Sequence, residues 1–251
     1  MRKLVTYAVL ATATIALTLA AKASDVLPGD VALSQRLQSI DSAVFSAFME
    51  NVTHLGSSLA ILIVALAAAT LLLVRGPRNH IALLALVACA LLLSPAIKAL
   101  IDRPRPELAL VNVFSTESTS SFPSGHAFSA FLVFGALIYM APSLVNGIRP
   151  LTWLLRGLLV LLILAIGVSR IYLGLHWSSD VLGGYLFALL ALLASIWLYE
   201  SMPLSHSKGA SGKKGAERQA KGHPLPPARR GAVKGRARLA SSGRCPKAAG
   251  Q

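Results

Sequence analysis

Ser169-Arg170-Ile171-Tyr172-Leu173-Gly174-Leu175-His176-Trp177-Ser178-Ser179-Asp180 is the stretch that decides how this chain folds. It places an Arg, a His and an Asp between two apolar runs, residues 151–168 and 181–199. A helix needs about 18 or more apolar residues to cross a bilayer, and both runs reach that length. Ionisable groups at such a border are costly to keep there, which marks them as functional by default. Two more polar islands, residues 98–106 and 121–126, have the same character.

Further apolar runs occupy residues 4–21, 55–74, 81–101 and 127–141 with its flanks, giving six spans in all. The chain is 55% hydrophobic with a mean hydropathy of +0.64, which excludes an ordinary soluble enzyme of 251 residues. The fold class expected is therefore an all-α polytopic helix bundle. Residues 1–23 read as an anchor or a signal peptide, residues 24–202 as the membrane domain and residues 203–251 as a basic tail. The first run has a basic start, Arg2-Lys3, and ends in Ala21-Lys22-Ala23, which fits peptidase cleavage; it is also long enough to remain as an anchor. Five spans remain if it is cleaved.

The net charge of +14 is concentrated at one end: half of the 24 Lys and Arg residues follow Pro203, where Glu217 is the sole acid. That segment lacks aromatics and cannot bury a core, so disorder is expected. It reads as a cytoplasmic tail touching anionic lipid headgroups rather than as a nucleic-acid arm. Arg2, Lys3, Arg75, Arg78, Arg149, Arg156 and the tail all fall on one side of the six spans, which the positive-inside rule makes cytoplasmic. The three polar islands fall on the other side. Cys89 lies in a span and Cys245 in the tail, so no disulfide is expected.

Between the first two spans, Leu33, Leu37, Ile40, Val44 and Phe48 recur at helical spacing. This fits one amphipathic helix over residues 33–49, lying in the interface or packed on the bundle. Gly76-Pro77 makes a tight turn. Pro95 kinks or interrupts the third span, Pro104 and Pro106 stop it, and Pro142 and Pro150 bracket the turn before the fifth. Residues 107–122 form an external loop.

Each island carries its own chemistry. Lys98 and Arg105 are seven apart, two helical turns if the helix persists. The prolines flanking Arg105 place it just past the helix, where it can turn inward. Arg103 reads as a residue that snorkels to the headgroups. Ser121-Phe122-Pro123-Ser124-Gly125-His126 opens a span; its free N–H groups and Gly125 suit an anion, and His126 can donate a proton. In the third island, a hydrogen bond from Asp180 would fix the tautomer of His176 and leave the other ring nitrogen free as a nucleophile or base. Asp180 also suits a helix cap. Lys98, Arg105 and Arg170 add three cations, enough to neutralise a phosphoryl group and its transition state. The acids are few and scattered, so no metal site and no cofactor is expected.

Lys98 with six residues before Arg105-Pro106, then Pro123-Ser124-Gly125-His126, then Ser169-Arg170 with five residues before His176 and three before Asp180, resemble the three signatures of the type 2 phosphatidic acid phosphatase superfamily. The resemblance implies a helical core that works without metal. It implies that His176 attacks phosphorus and becomes a phosphohistidine, that Asp180 orients and charge-balances it, and that His126 protonates the leaving oxygen. Lys98, Arg105, Ser124, Gly125 and Arg170 would hold the phosphoryl oxygens. The expected protein is a membrane hydrolase acting on a lipid phosphate or diphosphate in the bilayer: undecaprenyl diphosphate, phosphatidylglycerol phosphate or phosphatidic acid. A lipid phosphotransferase and a catalytically silent lipid-binding membrane protein are the alternatives. A vanadium haloperoxidase fits poorly, since those relatives are mostly soluble. The sequence sets no oligomeric state.

Overall fold

Inside a bilayer every backbone N–H and C=O must pair within the protein, and helices do so along each apolar run. The computed structural model describes residues 2–76 and 79–202. Its helices are α1 (Arg2–Ala23), α2 (Asp30–Gln38), α3 (Ala43–His54), α4 (Ser58–Arg75), α5 (His80–Ala90), α6 (Leu93–Ile101), α7 (Gly125–Leu144), α8 (Arg149–Tyr172) and α9 (Ser178–Ser201). The architecture is the all-α membrane bundle the apolar runs predict. Among the described residues five spans are long and apolar enough to cross a membrane, counting α5 with α6; a sixth forms if α3 and α4, bent by 62°, act as one. Pro77, Arg78 and the basic tail with Cys245 lie outside the described residues.

The bundle is built around α7. Of its span 61% is buried, against 11–33% of the other four, and it packs against α8 and α9. Phe128, Leu132, Val133 and Met140 of α7 meet Ile166 of α8 and Leu192 of α9 in the core. Outward faces are apolar too: Leu62, Leu66, Leu92, Leu100, Leu161 and Trp197 are each more than half exposed. In water such a surface would aggregate, and in lipid it is at home. Cys89 is a free thiol on an exposed face of α5.

One expectation changes in detail, and the break at Pro95 falls as expected. The stretch over residues 33–49 is two helices, not one. α2 ends at Gln38, and the Ser42 side chain accepts from the Phe45 N–H to start α3 afresh. α3 then packs on α8, where Tyr172 meets Phe45 edge-on at 5.1 Å and shares a 2.6 Å hydrogen bond with Ser46. The third span is divided at Leu91 and Leu92, because Pro95 has no N–H for the Leu91 carbonyl and its ring crowds that oxygen. α6 stops at Ile101, with Asp102 left-handed at φ 48°. Lys98 and Arg105 therefore do not share a helix.

The ends of α6 and α8 and the starts of α7 and α9 gather at one end of the bundle. Lys22, closing α1, reaches the Leu100 carbonyl at 3.4 Å and marks the same end. Arg149 and Arg156, in the first part of α8, lie towards the opposite end. The loop over residues 107–122 is fastened to the turn after α8: Phe114 N–H donates to the Leu173 carbonyl at 3.1 Å. Gly174 in that turn has φ 64°, and a Cβ there would stand 2.1 Å from the Asn112 carbonyl oxygen. Both the backbone conformation and the close approach require glycine. Gly174→Ala should cost roughly 2 kcal/mol or more and lower the unfolding midpoint in detergent by several degrees. An unchanged midpoint would mean that the loop is not seated on this turn.

Candidate active site

Four helix ends and one loop bring the three islands together. Lys98, in the last turn of α6, donates from Nζ to the Ser120 carbonyl at 2.5 Å. Arg105 lies past α6, as the prolines require, and turns inward. Its Nε donates to the Thr119 carbonyl at 2.7 Å and its Nη1 to the Leu175 carbonyl at 2.6 Å. Nη1 also stands 3.4 Å from His176 Nε2. Arg170, closing α8, is buried and donates from Nη1 to Thr53 Oγ1 at 3.1 Å. Gly125 opens α7 beside Lys98, with its ideal Cβ position 3.8 Å from the Lys98 Cε. The Ser124 N–H donates to the Asp180 carbonyl at 3.0 Å and ties the start of α7 to α9. Gly184 permits this contact, since a Cβ there would come within 2.8 Å of the Ser124 carbonyl oxygen.

His176 sits in the turn between α8 and α9 and is 1% exposed. Burial, followed by the positive charges of Arg170, Arg105 and Lys98, holds its pKa well below the usual imidazole value, with Glu117 opposing. The ring is therefore neutral at pH 7, the state in which an imidazole can act as a nucleophile. Nδ1 faces Asp180 Oδ2 at 3.6 Å and Ser121 Oγ at 3.5 Å. That leaves Nε2 on the side of Arg105.

Asp180 is more distant from the ring than a hydrogen bond, because its oxygens are engaged elsewhere. Oδ2 accepts from Ser121 Oγ at 2.5 Å and from the Trp177 N–H at 2.8 Å, the second bond capping α9 as expected. Oδ1 accepts from Arg103 Nη1 at 2.5 Å. Arg103 overturns its assignment as a snorkelling residue. It is 2% exposed, and its Nη2 pairs with Asp30 Oδ2 at 3.0 Å. The sequence signal was indistinct: a basic residue beside proline at a helix end looks the same whether it meets headgroups or a distant carboxylate.

Glu117 is another residue missed. Its carboxylate bridges Arg105, at 2.8 Å from Nη2, and Arg170 Nη2. Burial alone would raise its pKa; the charge and hydrogen bond of Arg170, together with the charge of Arg105, outweigh this and hold it at about 2. Among the ten acids, Asp30 and Asp180 share Arg103, while Glu117 pairs with two other arginines. A phosphoryl group that pairs with both guanidinium groups must displace the Glu117 carboxylate, which stands in for two of its oxygens.

A cavity of about 500 Å³ joins these groups to the apolar interior. Lys98, Glu117, Gly125, His126 and His176 line its polar end, and Ile61, Leu62, Ala65, Ala88 and Leu91 its apolar end. An adjoining cavity of about 450 Å³ has Arg170, Glu117 and His126 in its wall. Among the described residues, Ser94 Oγ, Ser124 Oγ and Arg170 Nε are buried without a hydrogen-bond partner. Ser94, one turn before Lys98, lines the larger cavity and was not singled out from the sequence.

At one end of an all-helical bundle the site thus holds a neutral imidazole among fixed cations. The particular family follows from comparison with known proteins. The family model of the PAP2 superfamily matches residues 79–202. The chain is 31% identical over 170 residues to phosphatidylglycerophosphatase B of Bacillus subtilis (strain 168), covering 66% of this chain and 80% of that protein. It belongs to the PAP2 superfamily. The putative undecaprenyl-diphosphatase YbjG of Escherichia coli (strain K12) is 31% identical over 101 residues, 40% of this chain and 46% of that one. Among solved structures, the transmembrane PAP2 type phosphatidylglycerolphosphate phosphatase from Bacillus subtilis superposes with a TM-score of 0.70 at 25% identity, over 79% of this chain and 98% of that one. Aquifex aeolicus LpxE shares the fold, with a TM-score of 0.55 at 22% identity over 69% and 98% of the two chains.

The Glu117 bridge makes a direct prediction. Glu117→Gln removes the competing charge, so inorganic phosphate should inhibit more tightly, by on the order of tenfold or about 1.4 kcal/mol. Inhibition unchanged or weaker would show that phosphate does not enter between Arg105 and Arg170.

Proposed function

We propose that this chain is an integral membrane phosphatase that removes the terminal phosphate from a lipid phosphate or diphosphate, through a phosphohistidine on His176. The observation that carries the reading is the position of His176, neutral and buried, at the polar end of a cavity whose other end is apolar. A lipid can keep its chains against Ile61, Leu62 and Ala65 while its headgroup reaches the cations. The relatives narrow the substrates. One is a phosphatidylglycerophosphatase and another a putative undecaprenyl-diphosphatase, so phosphatidylglycerol phosphate and undecaprenyl diphosphate come first and phosphatidic acid next.

The reaction runs in two displacements. The Nε2 lone pair of His176 attacks phosphorus while the bond to the lipid oxygen breaks, and that oxygen takes a proton from His126. Water then attacks the phosphorus, His126 takes its proton, and the nitrogen–phosphorus bond breaks to release inorganic phosphate. Lys98, Arg105 and Arg170 hold the equatorial oxygens, whose charge is spread in the transition state. These cations serve the neutralising role a divalent metal plays elsewhere. The Asp180 carboxylate balances the charge that His176 acquires on attack. The protein sits in the inner membrane with this end outside the cytoplasm, because the basic residues at the start of α1 and in α8 favour the other side. The basic tail then lies in the cytoplasm, against anionic headgroups.

His176→Ala should lower phosphate release from these lipids in detergent by about 10³-fold or more, with folding intact. Brief reaction of the unsubstituted protein with substrate carrying a labelled terminal phosphate should leave acid-labile, alkali-stable label on the protein, absent in the variant. Full turnover by His176→Ala would overturn the covalent scheme.

A further inference from the structure

Asp30 is the first residue of α2, outside the segment that the family model matches, and its side chain is completely buried. Five donors surround its carboxylate. Oδ1 accepts from Ser178 Oγ at 2.7 Å and the Ser179 N–H at 2.9 Å. Oδ2 accepts from the Leu27 N–H at 3.0 Å, Ser179 Oγ at 2.7 Å and Arg103 Nη2 at 3.0 Å. The same guanidinium gives Nη1 to Asp180 at 2.5 Å and to Ser179 Oγ at 2.8 Å, and Nε to the Asp25 carbonyl at 3.1 Å. Asp30 and Asp180 therefore grip opposite arms of one cation, with Ser179 bonded to both Arg103 and Asp30.

We infer that Asp30 is a positioning residue: acting through Arg103, it fixes the Asp180 carboxylate and leaves it with negative charge to spare for His176. The inference rests on the phosphohistidine reading above. A guanidinium paired with Asp180 alone would neutralise it, and Asp180 would have little left for the ring 3.6 Å away. Shared between two carboxylates, the cation leaves the group with a net charge of −1. His176 is neutral before attack and cationic once Nε2 is bonded to phosphorus with Nδ1 still protonated. The group then matches that charge at the moment it forms, in a buried place where charges act strongly. Asp30 also holds α2 and the connector before it against the start of α9, so the geometry of Asp180 depends on a segment far upstream of the signatures.

The test is a double-mutant cycle on the full chain in detergent, with phosphatidylglycerol phosphate as substrate and folding checked by the unfolding midpoint. Asp30→Asn should lower kcat about tenfold, the order carried by outer partners of catalytic histidines in metal sites, and leave KM unchanged. In an Asp180→Asn background, the same substitution should lower kcat no further. Should Asp30→Asn fail to fold, Ser179→Ala, which removes the hydroxyl linking Asp30 to Arg103, should still lower kcat and not KM, again without effect in the Asp180→Asn background. Undiminished kcat in a folded Asp30→Asn protein, or an equal loss in both backgrounds, overturns the inference. His176→Ala in the same assay separates the two ideas. If it is inactive while Asp30→Asn works normally, only the role of Asp30 falls; if it is active, the phosphohistidine reading falls.

Discussion

A fully buried arginine needs its charge met on every side, and in this protein that need holds the site end of the bundle together. Arg103 is paired with Asp30 and Asp180, both of them 0% exposed. Its partners come from the connector after α1, from α2 and from α9, while the backbone around it is bonded to Ser120 and Ser121. Removing one partner of such a pair costs about 3–5 kcal/mol, because the other charge stays buried alone. The arrangement admits few alternatives: Asp180 must sit where Arg103 puts it, and α9 must start where Asp180 caps it.

The proposed catalytic groups lie between two neighbouring and contrasting charge environments. Behind His176, two carboxylates share one cation. In front of it, Lys98 lines the larger cavity, Arg170 lines the adjoining one and Arg105 stands beside the His176 Nε2, with Glu117 bridging the two arginines. The imidazole between them is kept neutral by burial and by the cations in front. In the proposed reaction an incoming phosphoryl group would bring negative charge to the cationic side, and attack by His176 would place positive charge on the anionic side.

Much of this was legible in the sequence, for a physical reason. Span lengths, proline breaks and helix starts are local properties, and so the six apolar runs, the interruption at Pro95 and the inward turn of Arg105 could be read directly. The candidate site was legible because polar groups between apolar runs have few reasons to be there. What could not be read were partnerships across long separations. Asp30 and Arg103 are 73 residues apart, and nothing near either announces the other. Glu117 stood in a polar loop where any acid looks like a solvated one. The single amphipathic helix over residues 33–49 failed because its periodicity runs through a break that Ser42 makes possible.

The central claim is that the three islands grip one phosphoryl group with His176 in line behind it. Orthovanadate, which adopts the trigonal bipyramidal shape of phosphoryl transfer, probes this directly in a crystal structure of the protein. The account predicts vanadium bonded to His176 Nε2, equatorial oxygens against Lys98, Arg105 and Arg170, and Glu117 displaced from both arginines. Vanadate bound away from His176, or bound with the Glu117 bridge intact, would contradict it.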